Sequence, residues 1–139
     1  MPERTFFMIK PDGMKRNLAQ EIKNHIKMTG LKISAEREFQ MDISQAEKLY
    51  AVHRDQDFYW GLLKFITSGP VLCMVVGGEG AIDTVRRLMG ATDPREATPG
   101  TLRYDLREDQ VLNEDGIIKN IVHGSDSKES AEYEISIFF

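Results

Sequence analysis

The stretch Asn120-Ile121-Val122-His123-Gly124-Ser125-Asp126-Ser127 puts a histidine at the end of a short apolar run, followed at once by a glycine and a Ser/Asp cluster. A helix-like stretch begins at Ser127 and carries Glu134 more than one turn in, where it can fold back toward His123. A neutral imidazole with one ring nitrogen held by a carboxylate keeps the other free as a nucleophile. A histidine at a strand end is also an ordinary structural residue, and this segment alone leaves the two readings level. What separates them is whether residues suited to an anionic substrate occur elsewhere in the chain.

No Gly-x-x-x-x-Gly-Lys-Ser/Thr loop is present, and Gly77-Gly78-Glu79-Gly80 fails the dinucleotide fingerprint and reads as a strand-to-helix turn. Side-chain cations must therefore hold any phosphate. Lys10 ends an apolar run, where a turn opens strand-end groups to a site; a solvated strand-end lysine is the plain alternative. Arg86 lies in a helical stretch and Arg103 follows the Pro99-Gly100-Thr101 turn. Guanidinium forks match phosphate oxygens, although either arginine alone is an ordinary surface charge. Arg87 points away from the side that Arg86 serves. Thr92 offers a hydroxyl to phosphate or, equally, a loop cap. Phe58 suits stacking on a base or packing beside Tyr59 and Trp60, and Tyr50 can reach a phosphate or the histidine. With one cysteine and scattered histidines, zinc spacing is absent.

The elements that must position these residues follow from periodicity. Thr5-Phe6-Phe7-Met8-Ile9 is a buried strand, stopped by Lys10-Pro11-Asp12-Gly13. Leu18, Ile22 and Ile26 recur every four residues and make 17–28 an amphipathic helix, with Gly30 as its cap. Residues 31–39 are a second strand. Ser44-Gln45-Ala46-Glu47 is a capping box opening a helix to about His53. Residues 58–66 form a short helix ended by Gly69-Pro70, and 71–76 are a third, central strand. Residues 81–89 form a helix closed by Gly90, and from 91 to 103 the turn chemistry of Asp93-Pro94 and Pro99-Gly100 breaks the pattern. Residues 117–123 are the fourth strand. The order suits an α+β, ferredoxin-like βαββαβ sandwich, a four-stranded antiparallel sheet with helices on one face.

A length of 139 residues fits one domain, 1–139, with its own core. A net charge of −4 and a pI of about 5.4 exclude broad attraction to nucleic acid but leave room for a local cationic pocket. Cys73, the only cysteine, reads as buried packing. Met1-Pro2-Glu3-Arg4 lacks a signal-peptide pattern, and no apolar run nears the ~20 residues of a membrane span, so a cytoplasmic protein is expected.

Together, Thr5-Phe6-Phe7-Met8-Ile9-Lys10-Pro11-Asp12-Gly13, Ser68-Gly69-Pro70-Val71, Gly90-Ala91-Thr92-Asp93-Pro94, Pro99-Gly100-Thr101-Leu102-Arg103 and the histidine segment resemble the nucleoside diphosphate kinase family, in order and over nearly the whole chain. The resemblance implies a magnesium-dependent enzyme that moves the γ-phosphoryl group of a nucleoside triphosphate such as ATP to a different nucleoside diphosphate. The implied route is ping-pong, through a phosphohistidine. On it His123 is the nucleophile, Glu134 the carboxylate holding the imidazole, and Ser125 the hydroxyl supporting that pair. Lys10, Tyr50, Arg86, Thr92, Arg103 and Asn120 match the family's phosphate and ribose contacts. Phe58 matches the aromatic that stacks on the base, with Leu62 beside it. Mg2+ is expected mainly on the nucleotide phosphates, with no protein ligand assigned, although Asp126 is near enough in sequence to consider. The implied partners are nucleoside di- and triphosphates and further copies of the chain, as a hexamer or a tetramer built from dimers. Neither a membrane nor a specific nucleic acid is among them.

Two features depart from the family pattern. The stretch between Arg103 and Asn120 is several residues longer than usual, and Tyr104 stands where glycine is usual. Asp115-Gly116 between short apolar runs predicts a small β-hairpin within this 106–119 insertion, which bears on where Arg103 lies. The sequence also ends at Ile137-Phe138-Phe139, where family members usually continue, and the two aromatics are expected to dock. The alternative function is a phosphohistidine carrier protein, which needs the histidine but not Phe58, Thr92 or two spaced arginines. A non-catalytic interaction module is expected to lack His123, Lys10 or Asn120, and all three are present.

Overall fold

The computed structural model describes residues 2–139. Four strands, β1 (Glu3–Ile9), β2 (Lys32–Gln40), β3 (Pro70–Gly78) and β4 (Val122–Gly124), form one sheet in the order β2-β3-β1-β4. Each neighbouring pair is antiparallel. The helices are α1 (Pro11–Lys15), α2 (Ala19–Met28), α3 (Ile43–Leu49), α4 (Tyr59–Ile66), α5 (Ala81–Met89), α6 (Leu102–Asp105) and α7 (Lys128–Phe138). The architecture is the α+β, ferredoxin-like one that the element order implied.

The helices cover both faces of the sheet, which corrects the one-face expectation. The reason lies in the central strands. Residues 5–9 of β1 and 71–76 of β3 are buried without interruption, so neither strand has a side to leave in water. Phe7, Ile9, Leu72, Met74 and Val76 pack against α2 and α5. Phe6, Met8, Val71, Cys73 and Val75 pack against α3, α4 and α7. Cys73 is buried as expected, and burial pushes its thiol up to about 12.

Several boundaries differ from the sequence reading. The Lys10-Pro11-Asp12-Gly13 stop is also the start of α1, with Pro11 at the first helical position, where its missing N–H costs nothing. The capping box of α3 lies two residues earlier than Ser44. The Asp42 carboxylate accepts from Gln45 N–H at 2.8 Å, and the Gln45 side chain accepts from Asp42 N–H at 3.1 Å. That helix ends at Leu49, and a 3-10 turn covers Ala51–His53. The fourth strand is only Val122–Gly124, because Ile121 has φ +59, outside the extended region.

The insertion forms the small hairpin that Asp115-Gly116 predicted. Leu112 and Ile118 make an antiparallel bridge, Lys119 N–H donates to Val111 O at 2.8 Å, and Gly116 takes φ +76 in the turn. The hairpin rests on α4. A side chain at Gly61 would meet Ile117 at 3.1 Å, and Asp115 lies 3.2 Å from the Lys64 ammonium. At the other end of the chain only one aromatic docks. Phe138 is buried and stacked on Phe6 with centroids 5.2 Å apart, while Phe139 stays half-exposed.

Candidate active site

His123 lies on β4 opposite Met8 of β1. Its Nε2 is 2.8 Å from Glu134 Oε1, and the Ser125 hydroxyl donates to that same oxygen at 2.7 Å. An ionised carboxylate only accepts, so its partner assigns the imidazole proton to Nε2 and leaves Nδ1 with a bare lone pair. The distance between His123 and Glu134 in sequence is closed by α7, which is capped by Ser127, whose side chain accepts from Ser130 N–H at 3.1 Å. The ring is held sideways as well. Phe6 lies 5.9 Å from it, and Tyr50 meets it edge-on at 6.5 Å.

Just before the histidine the chain makes a three-residue turn. Val122 N–H donates to Asn120 O at 2.7 Å, with Ile121 at φ +59 between them. This is the rare, strained form of the γ-turn, and for a β-branched residue it costs about 1–3 kcal/mol. Around that turn the cations assemble. Lys10 Nζ donates to Asn120 Oδ1 at 2.8 Å, and Asn120 Nδ2 donates to Thr92 O at 2.9 Å. Arg103, 7% exposed, donates to three carbonyls: Val122 at 2.7 Å, Gly90 at 3.1 Å and Asn120 at 3.3 Å. Guanidinium carries five N–H donors, so part of the fork stays available for a ligand. The insertion has therefore not moved Arg103 away from the histidine segment.

The two buried cations carry an electrostatic cost. Burial lowers Lys10 to about 8, helped by the Arg103 charge and opposed by Asp12. Burial lowers Arg103 to about 10, helped by the Arg86 charge. Both groups are thus short of counter-charge.

Other residues of the sequence reading are less assembled. Arg86 is exposed on α5 and near enough to repel Arg103. Thr92 is exposed, and only its carbonyl is engaged. Phe58 stands at the N-terminus of α4, 44% exposed, with its ring 5.4 Å from that of His53. Leu62 is half-buried against the core rather than free beside Phe58. The Tyr50 hydroxyl is buried without a partner, and burial pushes its pKa up, so the phenol keeps its proton. Asp126 is exposed.

Sequence reasoning passed over three participants. Phe6 lends a ring to His123 and a carbonyl to Ser125 N–H at 3.1 Å. Gly90 supplies a carbonyl to Arg103 at φ +85, where a Cβ would sit 2.6 Å from the Thr101 side chain. Asp12 accepts from Ile121 N–H at 3.0 Å. The Lys-Pro-Asp-Gly motif was a signal for Asp12, read there only as a strand stop. Volume does not locate the histidine: a groove of about 1440 Å3 between α1, α4 and the hairpin, and a smaller hollow of about 350 Å3, are both lined by other residues.

The family model described as nucleoside diphosphate kinase matches residues 3–139. A nucleoside diphosphate kinase of Archaeoglobus fulgidus is 48% identical over 137 residues, 99% of this chain and 86% of that one. The solved nucleoside diphosphate kinase of Halobacterium salinarum in complex with CDP superposes with a TM-score of 0.90 at 43% identity, covering 100% of this chain and 88% of the other. That of Borrelia burgdorferi, a transition state mimic with bound vanadate and ADP, gives 0.90 at 36% identity, covering 99% and 87%.

Proposed function

This chain belongs to the nucleoside diphosphate kinase family, and from that premise we propose how its residues divide the reaction. The enzyme moves a phosphoryl group from a nucleoside triphosphate to a nucleoside diphosphate. In our reading it does so by a ping-pong route in which His123 Nδ1 is the acceptor and then the donor. The observation that carries this is the 2.8 Å contact of Nε2 with Glu134, which leaves Nδ1 unprotonated and aimed by its neighbours.

In the first half-reaction the Nδ1 lone pair forms a bond to the γ-phosphorus as the bond to the bridging oxygen breaks. The electron pair leaves with the nucleoside diphosphate. The ring gains positive charge as the bond forms, and Glu134 stabilises it through the Nε2 proton, with Ser125 fixing the carboxylate. In the second half a terminal oxygen of a different diphosphate attacks the phosphorus, and the electron pair returns to Nδ1. The transition state spreads negative charge over the moving group, so positioning and cations do most of the work. Lys10, Arg103 and Arg86 supply that charge, Thr92 and Asn120 hold phosphate or ribose oxygens, and Tyr50 donates the hydroxyl proton that its surroundings leave unused. Phe58 stacks on the base. Every base has a π-face, so broad base tolerance is expected.

Mg2+ belongs to the same reading as an ion carried by the substrate. Among the described residues no group of three His, Cys, Asp or Glu side chains could cage it, whereas a triphosphate with its own waters can. When bound, it neutralises charge on the phosphates. An oligomer of dimers also belongs to the reading: β2 is a nine-residue edge strand whose outer side is unpaired among the described residues. Light scattering at several concentrations decides it, and a strictly monomeric protein removes this part. No described helix is long and apolar enough to cross a membrane, and we take the setting to be cytoplasmic.

Incubation with a γ-labelled nucleoside triphosphate and then with a different, unlabelled diphosphate tests the whole reading. Label is expected on His123 and then on the second nucleotide. A protein that holds label but does not pass it to free nucleotide is a carrier instead.

A further inference from the structure

Asp12 has no part in the division of labour above, yet it is a carboxylate buried to 7% exposure with one oxygen, Oδ1, unpartnered. Its other oxygen accepts from Ile121 N–H at 3.0 Å. Ile121 is the strained centre of the γ-turn before the nucleophile, at φ +59 and 2% exposed. Its carbonyl is taken by Lys10 N–H at 2.8 Å. Gly13 closes the third side: a Cβ there would sit 3.2 Å from the Ile121 carbonyl and 2.8 Å from Ile9. The turn from Lys10 to Gly13 therefore grips one residue through its N–H, its C=O and its packing.

We propose that Asp12 is a positioning residue, which holds Ile121 in its left-handed turn and thereby sets where the Lys10 and Arg103 cations stand relative to His123. The inference deepens the reading of His123 as the phosphoryl acceptor and rests on it.

The coupling runs through atoms on either side of Ile121. Asn120 precedes it and carries the Lys10 ammonium on its side chain and the Arg103 Nε on its carbonyl. Val122 follows it and holds Arg103 Nη2 on its carbonyl at 2.7 Å. His123 comes next. An isoleucine freed from Asp12 relaxes toward φ < 0, because L side chains avoid the left-handed region. Rotation there swings Asn120 against Val122 and His123, so both cations move relative to Nδ1. A buried carboxylate suits this duty because the full charge makes a strong acceptor for one backbone donor. Its cost is visible in the same place: burial pushes the Asp12 carboxyl up despite the Lys10 charge.

A double-mutant cycle tests the assignment, read as the single-turnover rate of His123 phosphorylation at saturating nucleoside triphosphate, with KM measured alongside. Asp12→Ala is expected to slow phosphorylation by on the order of 10²-fold, with a smaller change in KM, since misplacement of catalytic groups acts on the chemical step. Asp12→Asn keeps an acceptor oxygen and is expected to stay within about tenfold of wild type. Glycine takes φ > 0 without strain, so in an Ile121→Gly background the same Asp12→Ala change is expected to cost only a few-fold. An equal cost in the wild-type and Ile121→Gly backgrounds overturns the proposal, because Asp12 would then act by some other path. If Asp12→Ala does not fold, amide hydrogen exchange on the wild type decides: Ile121 N–H is expected to be strongly protected, and free exchange there overturns the clamp. A wild type that takes no label on His123 sinks the underlying reading instead, whereas normal labelling with an unchanged Asp12→Ala rate sinks the clamp alone.

Discussion

His123, Ser125 and Glu134 meet through contacts of 2.8 and 2.7 Å, whereas Arg86 and Thr92 are exposed and Phe58 stands half-exposed against His53. The two halves of the site differ in what they rest on. The nucleophile half is built from β1, β4 and α7, elements of the sheet and the helix that covers it. The half we propose for the nucleotide is drawn from the start of α4, the outer face of α5 and the loop after it. A shared acceptor has to present the same nitrogen in the same direction in both half-reactions, so its geometry is fixed before substrate arrives. A nucleotide must enter, leave and be replaced by another, so its contacts are completed by the ligand itself. Lys10 and Arg103 sit between these halves, buried like the first and, unlike it, short of counter-charge.

The sharpest way to break this comparison is to remove the nucleophile. His123→Ala is expected to abolish both phosphoenzyme formation and exchange, and appreciable residual exchange in a labelled-nucleotide assay takes His123 out of that role. Arg103→Ala comes next, with a loss of roughly 2–4 kcal/mol in kcat/KM by analogy with deleting one charge-stabilising donor. An unchanged rate would mean that its three carbonyl contacts are its whole purpose. Phe58→Ala acts on the open half alone: nucleotide KM should rise by the equivalent of ~1–3 kcal/mol, to a similar extent for every base, with kcat little altered. A strongly base-dependent loss argues for a base-reading contact elsewhere.

Lys10 joins the halves and gives the comparison a pH axis. Its ammonium is lowered to about 8, so in the free enzyme the charge is lost as pH rises through that value. The apparent kcat/KM should fall about tenfold per unit above it, and Lys10→Arg should flatten the fall. Stability runs the other way. The folded protein binds fewer protons at Lys10 than the unfolded chain between about 8 and the ordinary lysine value, so deprotonation favours the fold over that window. A kcat/KM that holds steady to about pH 10, the ordinary lysine range, assigns the lowered value no part in function.

The sequence disclosed the two halves unequally. The strands were legible because Thr5-Phe6-Phe7-Met8-Ile9 and residues 71–76 are apolar throughout, though the same feature meant two covered faces rather than one. The Glu134-to-His123 return was legible from helical geometry and a Ser127 cap. What periodicity does not carry is backbone conformation at single residues. Ile121 in an apolar run reads as strand, and only its hydrogen bonds to Asp12 and Lys10, with Val122 N–H closing onto Asn120 O across it, turn it left-handed. Ser44 reads as the cap because Glu47 follows it three residues on, whereas the residue that lies extended before the first turn, and therefore caps it, is Asp42.

The smallest effect expected is at the inserted hairpin, which borders the open half through α4. Asp115 and Lys64 lie 3.2 Å apart, yet Lys64 is 68% exposed, so solvent screens most of their attraction. Asp115→Ala should therefore change stability by well under ~1 kcal/mol and nucleotide KM by less than Phe58→Ala does. Gly61 is the better lever. A methyl there would stand 3.1 Å from the side chain of Ile117, which is only 5% exposed, so Gly61→Ala requires the packed isoleucine to shift by a few tenths of an ångström against the helix. If the hairpin braces α4, Gly61→Ala raises nucleotide KM more than Asp115→Ala in parallel kinetics. The reverse order would make the exposed ion pair, and not the packed isoleucine, what ties the insertion to the nucleotide side.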